Sequence, residues 1–446
     1  MSAAKRAPIE VLMTPFNRFF QMSAAGGLML LACTAVAMIW ANSPWGVNYG
    51  QFRGLHLHLG YSEKMLSLSL MHWVNDGVMA VFFFVVGLEI KRELLVGELS
   101  TARKALLPIA AAAGGMLIPA VLYLFFNWGG PHTAGWGVPI ATDIAFALGI
   151  LSLLGRRVPV SLKIFLTAVA IADDMGAVLI IALFYTSQLS LASLAAGLAL
   201  LALMAGANAL GIRRTLPYLL LGCGAWLLFF YSGVHATVSG VIAAMTIPAR
   251  PRSGSGDFVA RSLGILKEFQ KVRDEGGRSM LESIRQPQLL LTLRGACRDA
   301  ETPLQRLDAM LHPWVAFLIM PLFALVNAGV LLPGDMAQAI AQPVNLGIIC
   351  GLVLGKPLGV TLTAASLTAT GLAPKLVGVT WRHMLGAGCL AGIGFTMSIF
   401  ITELAFADPG IKDSAKLGIL GGSLVSAVLG WLVLRGAPES GPRPRP

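Results

Sequence analysis

Long runs of apolar residues, separated by short polar connectors, make up most of the 446-residue chain. A helix needs about 20 mostly apolar residues to cross the hydrocarbon core of a bilayer. The pattern therefore predicts an all-α polytopic membrane protein. Its twelve expected transmembrane helices are 22–42, 69–90, 105–126, 136–154, 161–185, 190–210, 215–231, 234–248, 313–331, 343–365, 384–406 and 415–435.

The basic residues of the connectors predict the orientation of these helices. Cytoplasmic loops of membrane proteins are enriched in Lys and Arg. The connectors between spans three and four, five and six, seven and eight, and nine and ten contain neither residue. Both termini, residues 1–21 and 436–446, are therefore expected in the cytoplasm. Exceptions to the rule are Arg53, Lys64 and Lys412, which fall in loops assigned to the outside.

Composition supports a membrane environment over a soluble fold. Charged residues are 12% of the chain and hydrophobic residues 56%, whereas soluble domains contain about 25% charged residues. The net charge of +11 does not indicate a nucleic-acid partner, because the basic residues lie in the connectors. Membrane lipid is the expected surrounding.

The first outside loop, 43–67, contains a β-hairpin signal. Apolar and polar residues alternate from Leu55 to Leu59, between Gly54 and Gly60, as is typical of a strand that ends in a turn. Two readings of the exposed hairpin edge stand side by side. The hairpin pairs with a second copy of the chain to form a homodimer, or it is a self-contained surface ribbon.

The connector 249–312 separates spans one to eight, within 22–248, from spans nine to twelve, within 313–435. It holds 11 of the 33 basic and 8 of the 22 acidic residues. Phe258–Asp274 and Ser279–Arg298 have helical apolar spacing, which predicts amphipathic helices on the cytoplasmic surface. A partly disordered loop is the alternative.

Charged residues inside apolar segments mark the candidate site. Asp173 and Asp174 lie in the otherwise uncharged stretch from Ile164 to Tyr185, Asp143 lies in the preceding span, and Lys356 lies in a later one. Each ionisable group at the centre of a span costs at least about 2.5–3.5 kcal/mol. The group therefore indicates a pathway for cations and protons.

Two spans carry helix-breaking residues at matching positions. Pro139 interrupts the fourth span, and Gly392 and Gly394 loosen the eleventh. These spans are the middle ones of spans three to five and ten to twelve, two units of opposite topology. The match predicts inverted repeats with a site between two broken, crossing helices. Asp143 and Lys356 are expected to compensate the exposed ends of the half-helix dipoles.

The two adjacent aspartates cannot face the same point, because neighbouring helical residues point about 100° apart. Asp174 is expected to face an aqueous cavity, and Asp173 to face Lys356. Carboxylate oxygens and the Thr142 hydroxyl suit a hard cation such as Na⁺ or Li⁺. Two carboxylates hold two protons or one cation, so an exchange of one cation for two protons across the membrane would move net charge. The alternative is that these charges only brace the broken helices.

With these residues, the chain resembles the bacterial NhaA family of Na⁺/H⁺ antiporters, one of the transporter families with inverted-topology repeats. The matching motifs occur in family order over about residues 10–435. They are Asn75-Asp76-Gly77, Gly87-Leu88-Glu89-Ile90-Lys91-Arg92-Glu93, Ala141-Thr142-Asp143-Ile144-Ala145-Phe146, Ala172-Asp173-Asp174, Ser232-Gly233-Val234-His235-Ala236-Thr237, His312-Pro313-Trp314, Gly355-Lys356-Pro357-Leu358-Gly359 and Gly392-Ile393-Gly394-Phe395-Thr396-Met397-Ser398.

The resemblance implies a secondary transporter of the bacterial inner membrane, without enzymatic activity or a cofactor. It implies that Asp173 and Asp174 bind the ion and protons, with Thr142, Asp143 and Lys356 at the helix crossing. It also implies a homodimer formed through the hairpin 43–67.

The resemblance further implies activation at alkaline pH through a cluster of charged residues. The matching positions are Glu89, Arg92, Glu93, His312 and, elsewhere in the fold, His235. Where the family's best-known pattern has Glu-His before the His-Pro-Trp motif, this chain has Asp308-Ala309. One titrating histidine is thus absent, so we expect a pH response of different midpoint or steepness.

Three other classes of function are less consistent with the sequence than antiport. Another proton-coupled transporter, such as an organic-anion symporter, would need a positive site, but three acids face one base. An intramembrane aspartyl protease also uses two carboxylates. Its YD and GxGD contexts are absent here, where the aspartates stand in Thr142-Asp143 and Asp173-Asp174. A structural protein or a channel is disfavoured by the matched breaks.

Overall fold

The computed structural model describes residues 25–59, 66–186, 189–276 and 285–438. The predicted N-terminal segment 1–21 lies outside these ranges. The described residues are mainly helical. In chain order the helices are α1 (Ala25–Ala41), α2 (Gly46–Gly54), α3 (Leu70–Val96), α4 (Ala102–Asn127), α5 (Ile144–Leu153), α6 (Val160–Phe184), α7 (Leu191–Ala209), α8 (Thr215–Phe230), α9 (Ala236–Thr246), α10 (Ser255–Gly276), α11 (Arg285–Ala300), α12 (Pro303–Asn327), α13 (Met336–Ile340), α14 (Pro343–Ala369), α15 (Trp381–Ala391), α16 (Phe395–Ala405) and α17 (Pro409–Arg435).

Several helices depart locally from α-geometry. A 3₁₀ segment, Thr133–Ile140, precedes α5, and a 3₁₀ turn, Gly155–Arg157, follows it. π-helical turns occur within α3 at Trp73–Val78, within α12 at Val315–Ile319 and within α14 at Gly351–Gly355. π-helical turns are rare overall, but those that occur often lie at functional sites.

In the described part of the chain, eight helices are long and apolar enough to cross a membrane. The number rises to ten if each of two bent pairs forms one span, namely α1 with α2 (116°) and α15 with α16 (43°). The predicted twelve would also require α8 and α9, which are apolar but only 16 and 11 residues long.

The predicted hairpin is confirmed. Strand β1 (His56–Leu59) pairs antiparallel with β2 (Leu66–Ser69), and His56 stands opposite Ser69. Residues 60–65, between the two strands, lie outside the described residues. The Leu57 side chain on β1 is 41% exposed.

The connector after α9 contains helices α10 and α11, which pack against each other. Asp299 joins them through Arg261, with 3.7 Å between the charged atoms. Within the described residues α11 covers Arg285–Ala300, and the predicted start at Ser279 lies in 277–284, outside the described ranges.

Helix α12 begins at Pro303, before residue 313, where the ninth span is predicted to start. Thr302 and Gln305 form a reciprocal capping box, and Pro303 occupies the first helical turn. These residues are a strong N-terminal signal that the apolar pattern does not reveal. Asp308 and His312 consequently lie on a helix that continues into the ninth predicted span.

Glycines allow the helices around the candidate site to pack closely. A Cβ on Gly114 of α4 would lie 2.7 Å from the carbonyl oxygen of Gly359 on α14. A Cβ on Gly87 of α3 would lie 2.7 Å from the Cβ of Ala244 on α9. Small residues permit such close approach between membrane helices. The first of these contacts lies one turn beyond Lys356.

Candidate functional site

Two helices are interrupted where they meet. The first break, 141–143, is extended and separates the 3₁₀ segment from α5, and the second, 392–394, separates α15 from α16. The Asp143 backbone N–H donates to the carbonyl of Ile393 at 2.6 Å, and the Ser398 hydroxyl donates to the carbonyl of Val138 at 2.7 Å. Each break therefore satisfies backbone groups that the other leaves open, as non-helical backbone at membrane depth requires.

Asp143 caps both helices that begin at the crossing. Its Oδ1 accepts the backbone N–H of Phe146 in the first turn of α5 at 3.2 Å. Its Oδ2 accepts the backbone N–H of Thr396 in α16 at 3.3 Å and the Thr396 hydroxyl at 2.5 Å. One buried carboxylate thus faces two positive helix ends, which it stabilises electrostatically.

Lys356 forms a buried ion pair with Asp173. Its Nζ lies 2.5 Å from Asp173 Oδ2 and donates to the Thr142 hydroxyl at 2.9 Å. The Thr142 hydroxyl has a single proton, which it gives to Asp173 Oδ2 at 2.7 Å or to the carbonyl of Ala391 at 2.8 Å. All three side chains are fully buried. Lys356 therefore reaches the carbonyl end of α15 through Thr142.

Asp174 has a buried Oδ1 without a hydrogen-bond partner among the described residues. Asp173 Oδ1 is unpartnered in the same way. Asp174 is 2% exposed, and an unsatisfied polar atom away from water is costly. Protonation or coordination of a hard cation would remove this cost, since both give the oxygens a partner. The pair can therefore alternate chemically between proton and metal.

Comparison with known proteins agrees with this chemistry. The sequence profile of the family described as Na+/H+ antiporter 1 matches residues 17–434. The chain belongs to this family. It is thereby a multi-pass membrane protein, and the resemblance drawn from its motifs is confirmed.

Relatives named Na(+)/H(+) antiporter NhaA align with nearly the whole chain. The protein of Oleidesulfovibrio alaskensis is 50% identical over 428 residues, which cover 96% of this chain and 95% of that protein. That of Koribacter versatilis is 47% identical, with 97% and 93% covered. That of Acidithiobacillus ferrooxidans is 48% identical, with 95% and 97% covered.

In this member of the Na⁺/H⁺ antiporter family, a second group of charged residues joins α3 to α12. Arg92 lies 2.8 Å from Asp308 Oδ2, and His312 Nδ1 lies 3.7 Å from Glu89 Oε1. We call these four residues the α3–α12 cluster. Glu93, also predicted for pH response, turns away, since its Oε2 accepts the backbone N–H of Glu98 at 3.0 Å.

His235 lies apart from the α3–α12 cluster, next to α16. Its Nε2 is 3.4 Å from Asp76 Oδ1, and its Nδ1 is 2.8 Å from the Thr237 hydroxyl. Its ring packs edge-to-face against Phe400 at 5.4 Å between centroids. In the sequence, Asp76 stands out only as part of the motif Asn75-Asp76-Gly77, and its pairing with His235 is not predicted.

Sequence reasoning also missed partners that carry the site. Thr396 and Ser398 belong to the motif that begins at Gly392. Hydroxyl residues directly after a helix break could have indicated contacts with the other broken helix. The count of three acids and one base omitted Glu403 and Lys416, which fall inside the predicted spans. These two side chains are nearly fully buried and lie 2.6 Å apart.

Proposed function

We propose that this protein is an electrogenic antiporter of the bacterial inner membrane. It exports cytoplasmic Na⁺ or Li⁺ in exchange for protons by alternating access. The observation that carries the proposal is the buried Asp173–Asp174 pair, in which each residue has an unpartnered oxygen among the described residues and Asp173 accepts from Thr142 in the first helix break. The relatives' names, all Na(+)/H(+) antiporter, support the same exchange.

Asp173, Asp174 and Thr142 are proposed as the ligands of the transported metal ion. The two carboxylates take up protons when the ion leaves, so both substrates compete for the same oxygens. Two protons carry more charge than one Na⁺ ion, and each cycle therefore moves net charge across the membrane.

Lys356 and Asp143 are proposed to compensate charge at the crossing. Lys356 lies 2.5 Å from Asp173 and pairs with it. An arriving cation repels the ammonium group and competes for Asp173, so Lys356 alternates between pairing and release. Asp143 keeps its capping contacts with α5 and α16 and holds the two broken helices together.

The proposed architecture has twelve spans and two inverted repeats. The first repeat comprises α4, Thr133–Leu153 and α6, and the second comprises α14, α15 with α16, and α17. Mutual hydrogen bonds between the two breaks support this pairing. The basic connectors favour cytoplasmic termini.

Regulation by pH and dimerisation complete the proposal. The α3–α12 cluster, together with Glu93 and His235, is the proposed pH-responsive set. The hairpin β1–β2 is the proposed dimer contact, with its exposed Leu57 and strand edge available for pairing. Measuring the mass of the protein in detergent after deletion of 56–69 tests the contact, since a persistent dimer would contradict it.

The exchange is tested in everted vesicles or proteoliposomes that hold a pH gradient. Addition of Na⁺ or Li⁺ should dissipate the gradient in the wild type, and Asp174→Asn should abolish this response. Asp257→Asn, an exposed aspartate on α10, is the matched control and should respond normally. A normal response in Asp174→Asn would overturn the site. No response of the wild type from about pH 6.5 to about pH 9 would overturn the function.

A further inference from the structure

The α3–α12 cluster contains three potential metal ligands on two helices. We propose that Glu89, Asp308 and His312 form a binding site for a divalent first-row transition-metal ion such as Zn²⁺. The site is separate from the Asp173–Asp174 pair, and metal binding there does not depend on the proposed exchange activity.

The placement of the three side chains supports metal binding. One ligand atom from each residue lies within 4.8 Å of the other two. Asp308 and His312 are four residues apart on α12 and therefore point to the same face of the helix. Glu89 approaches from α3. Two ligands at this helical spacing and a third from a facing helix are a recurring arrangement in metal-binding helical proteins.

The chemistry of the donors selects the class of ion. One imidazole and two carboxylates suit Zn²⁺ and its first-row neighbours. A fourth tetrahedral position remains for water. The ligand atoms around a tetrahedral Zn²⁺ ion lie about 3.3 Å apart, given metal–ligand bonds of about 2.0–2.1 Å. The three donors must therefore close slightly, and His312, whose side chain is 64% exposed, has room to rotate.

Arg92 competes with the proposed ion for Asp308. Its guanidinium lies 2.8 Å from Asp308 Oδ2, and its side chain is 42% exposed. A cation bound to Asp308 repels this charge, and the exposed arginine can turn toward solvent. Removal of Arg92 should therefore strengthen metal binding, whereas a role of the cluster limited to ion pairing predicts no such gain.

Isothermal titration with ZnCl₂ tests the site, using the full-length protein in detergent without a polyhistidine tag. We expect about one strong site per chain in a variant lacking the exposed hairpin histidines, His56→Ala with His58→Ala. In that background, His312→Ala and Glu89→Gln should each weaken binding about tenfold or more. Arg92→Gln should tighten it.

Thermal unfolding provides a second readout, because an ion that joins α3 to α12 stabilises the folded state by mass action. Zn²⁺ should raise the unfolding temperature of the hairpin-histidine variant and fail to do so after Glu89→Gln, which preserves side-chain size. Binding that is absent at micromolar Zn²⁺, or equally tight after His312→Ala and Glu89→Gln, would overturn the proposal.

Discussion

The helix crossing and the α3–α12 cluster contain nearly the same ion pair in different surroundings. At the crossing, Lys356 and Asp173 lie 2.5 Å apart and neither side chain is exposed. In the cluster, Arg92 and Asp308 lie 2.8 Å apart and are 42% and 14% exposed. Water screens the second pair and does not reach the first. Burial rather than distance therefore determines how much each pair contributes to the free energy of unfolding.

This difference also separates the chemistry of the two regions. Any ion or proton that reaches the crossing changes the balance of uncompensated charge in a medium of low dielectric constant, which favours rearrangement of the helices. The cluster can exchange partners with solvent at little cost. We therefore expect the crossing to control transport itself and the cluster to adjust it.

The largest expected effect comes from Lys356→Met, which leaves Asp173 buried without its partner. Breaking a buried pair from one side costs about 3–5 kcal/mol. Titration with SDS in mixed micelles measures the free energy of unfolding. The double variant Lys356→Met with Asp173→Asn should regain much of the loss, because neither member of the pair then carries a charge. Equal losses in both variants would argue against an energetic role for the pair.

Glu403→Gln tests whether burial alone explains the cost. Glu403 pairs with buried Lys416 at 2.6 Å and with Lys412 at 3.0 Å, away from the crossing. We expect a loss of about 3 kcal/mol, the low end for a broken buried pair, because Asp413 still lies 3.9 Å from Lys416. The response to Na⁺ in vesicles should persist. Loss of transport in a folded Glu403→Gln protein would extend the site to this pair.

Thr396→Val removes the hydroxyl that donates to Asp143 at 2.5 Å and keeps the side-chain shape. A hydrogen bond to a charged group contributes about 2 kcal/mol. The matched control is Thr402→Val, whose hydroxyl donates to the neutral carbonyl of Ser398, for which about 1 kcal/mol is expected. The same SDS titration compares them, and a control that loses as much would show that the charge on Asp143 adds nothing.

Arg92→Met should have the smallest effect on stability, about 0.5 kcal/mol, because the pair with Asp308 is partly exposed. The pH at which Na⁺ dissipates the proton gradient half-maximally should nevertheless shift, since the cluster loses a positive charge. A vesicle assay across pH measures the midpoint. An unchanged midpoint would remove Arg92 from the pH-responsive set.

Much of the site could be predicted from local sequence signals. Asp173, Asp174 and Lys356 are conspicuous because charge within a membrane span is costly. Pro139 lies just before the first break and Gly392 begins the second, and both residue types weaken a helix locally, whatever it packs against. The alternation before Leu59 similarly predicts a strand without knowledge of its partner.

Partners that meet across large sequence distances could not be predicted. Thr396 is 253 residues from Asp143, and no local pattern indicates that its hydroxyl faces that carboxylate. The pair of Glu403 and Lys416 was overlooked because each lies near the end of its predicted span, where a charge could equally reach water. The start of α12 at Pro303 is not visible in the apolar pattern, since that pattern does not detect a capping box.

The sequence by itself determined that this chain enters a membrane, where two of its helices break, and that the four charged residues of the site lie in its apolar segments. These properties follow from the cost of transferring each residue and backbone group out of water. Only the tertiary structure decided that Asp143 caps two helices, that Thr142 links Lys356 to the end of α15, and that one oxygen of each paired aspartate has no partner among the described residues. Those outcomes depend on which side chains meet when the two broken helices pack together.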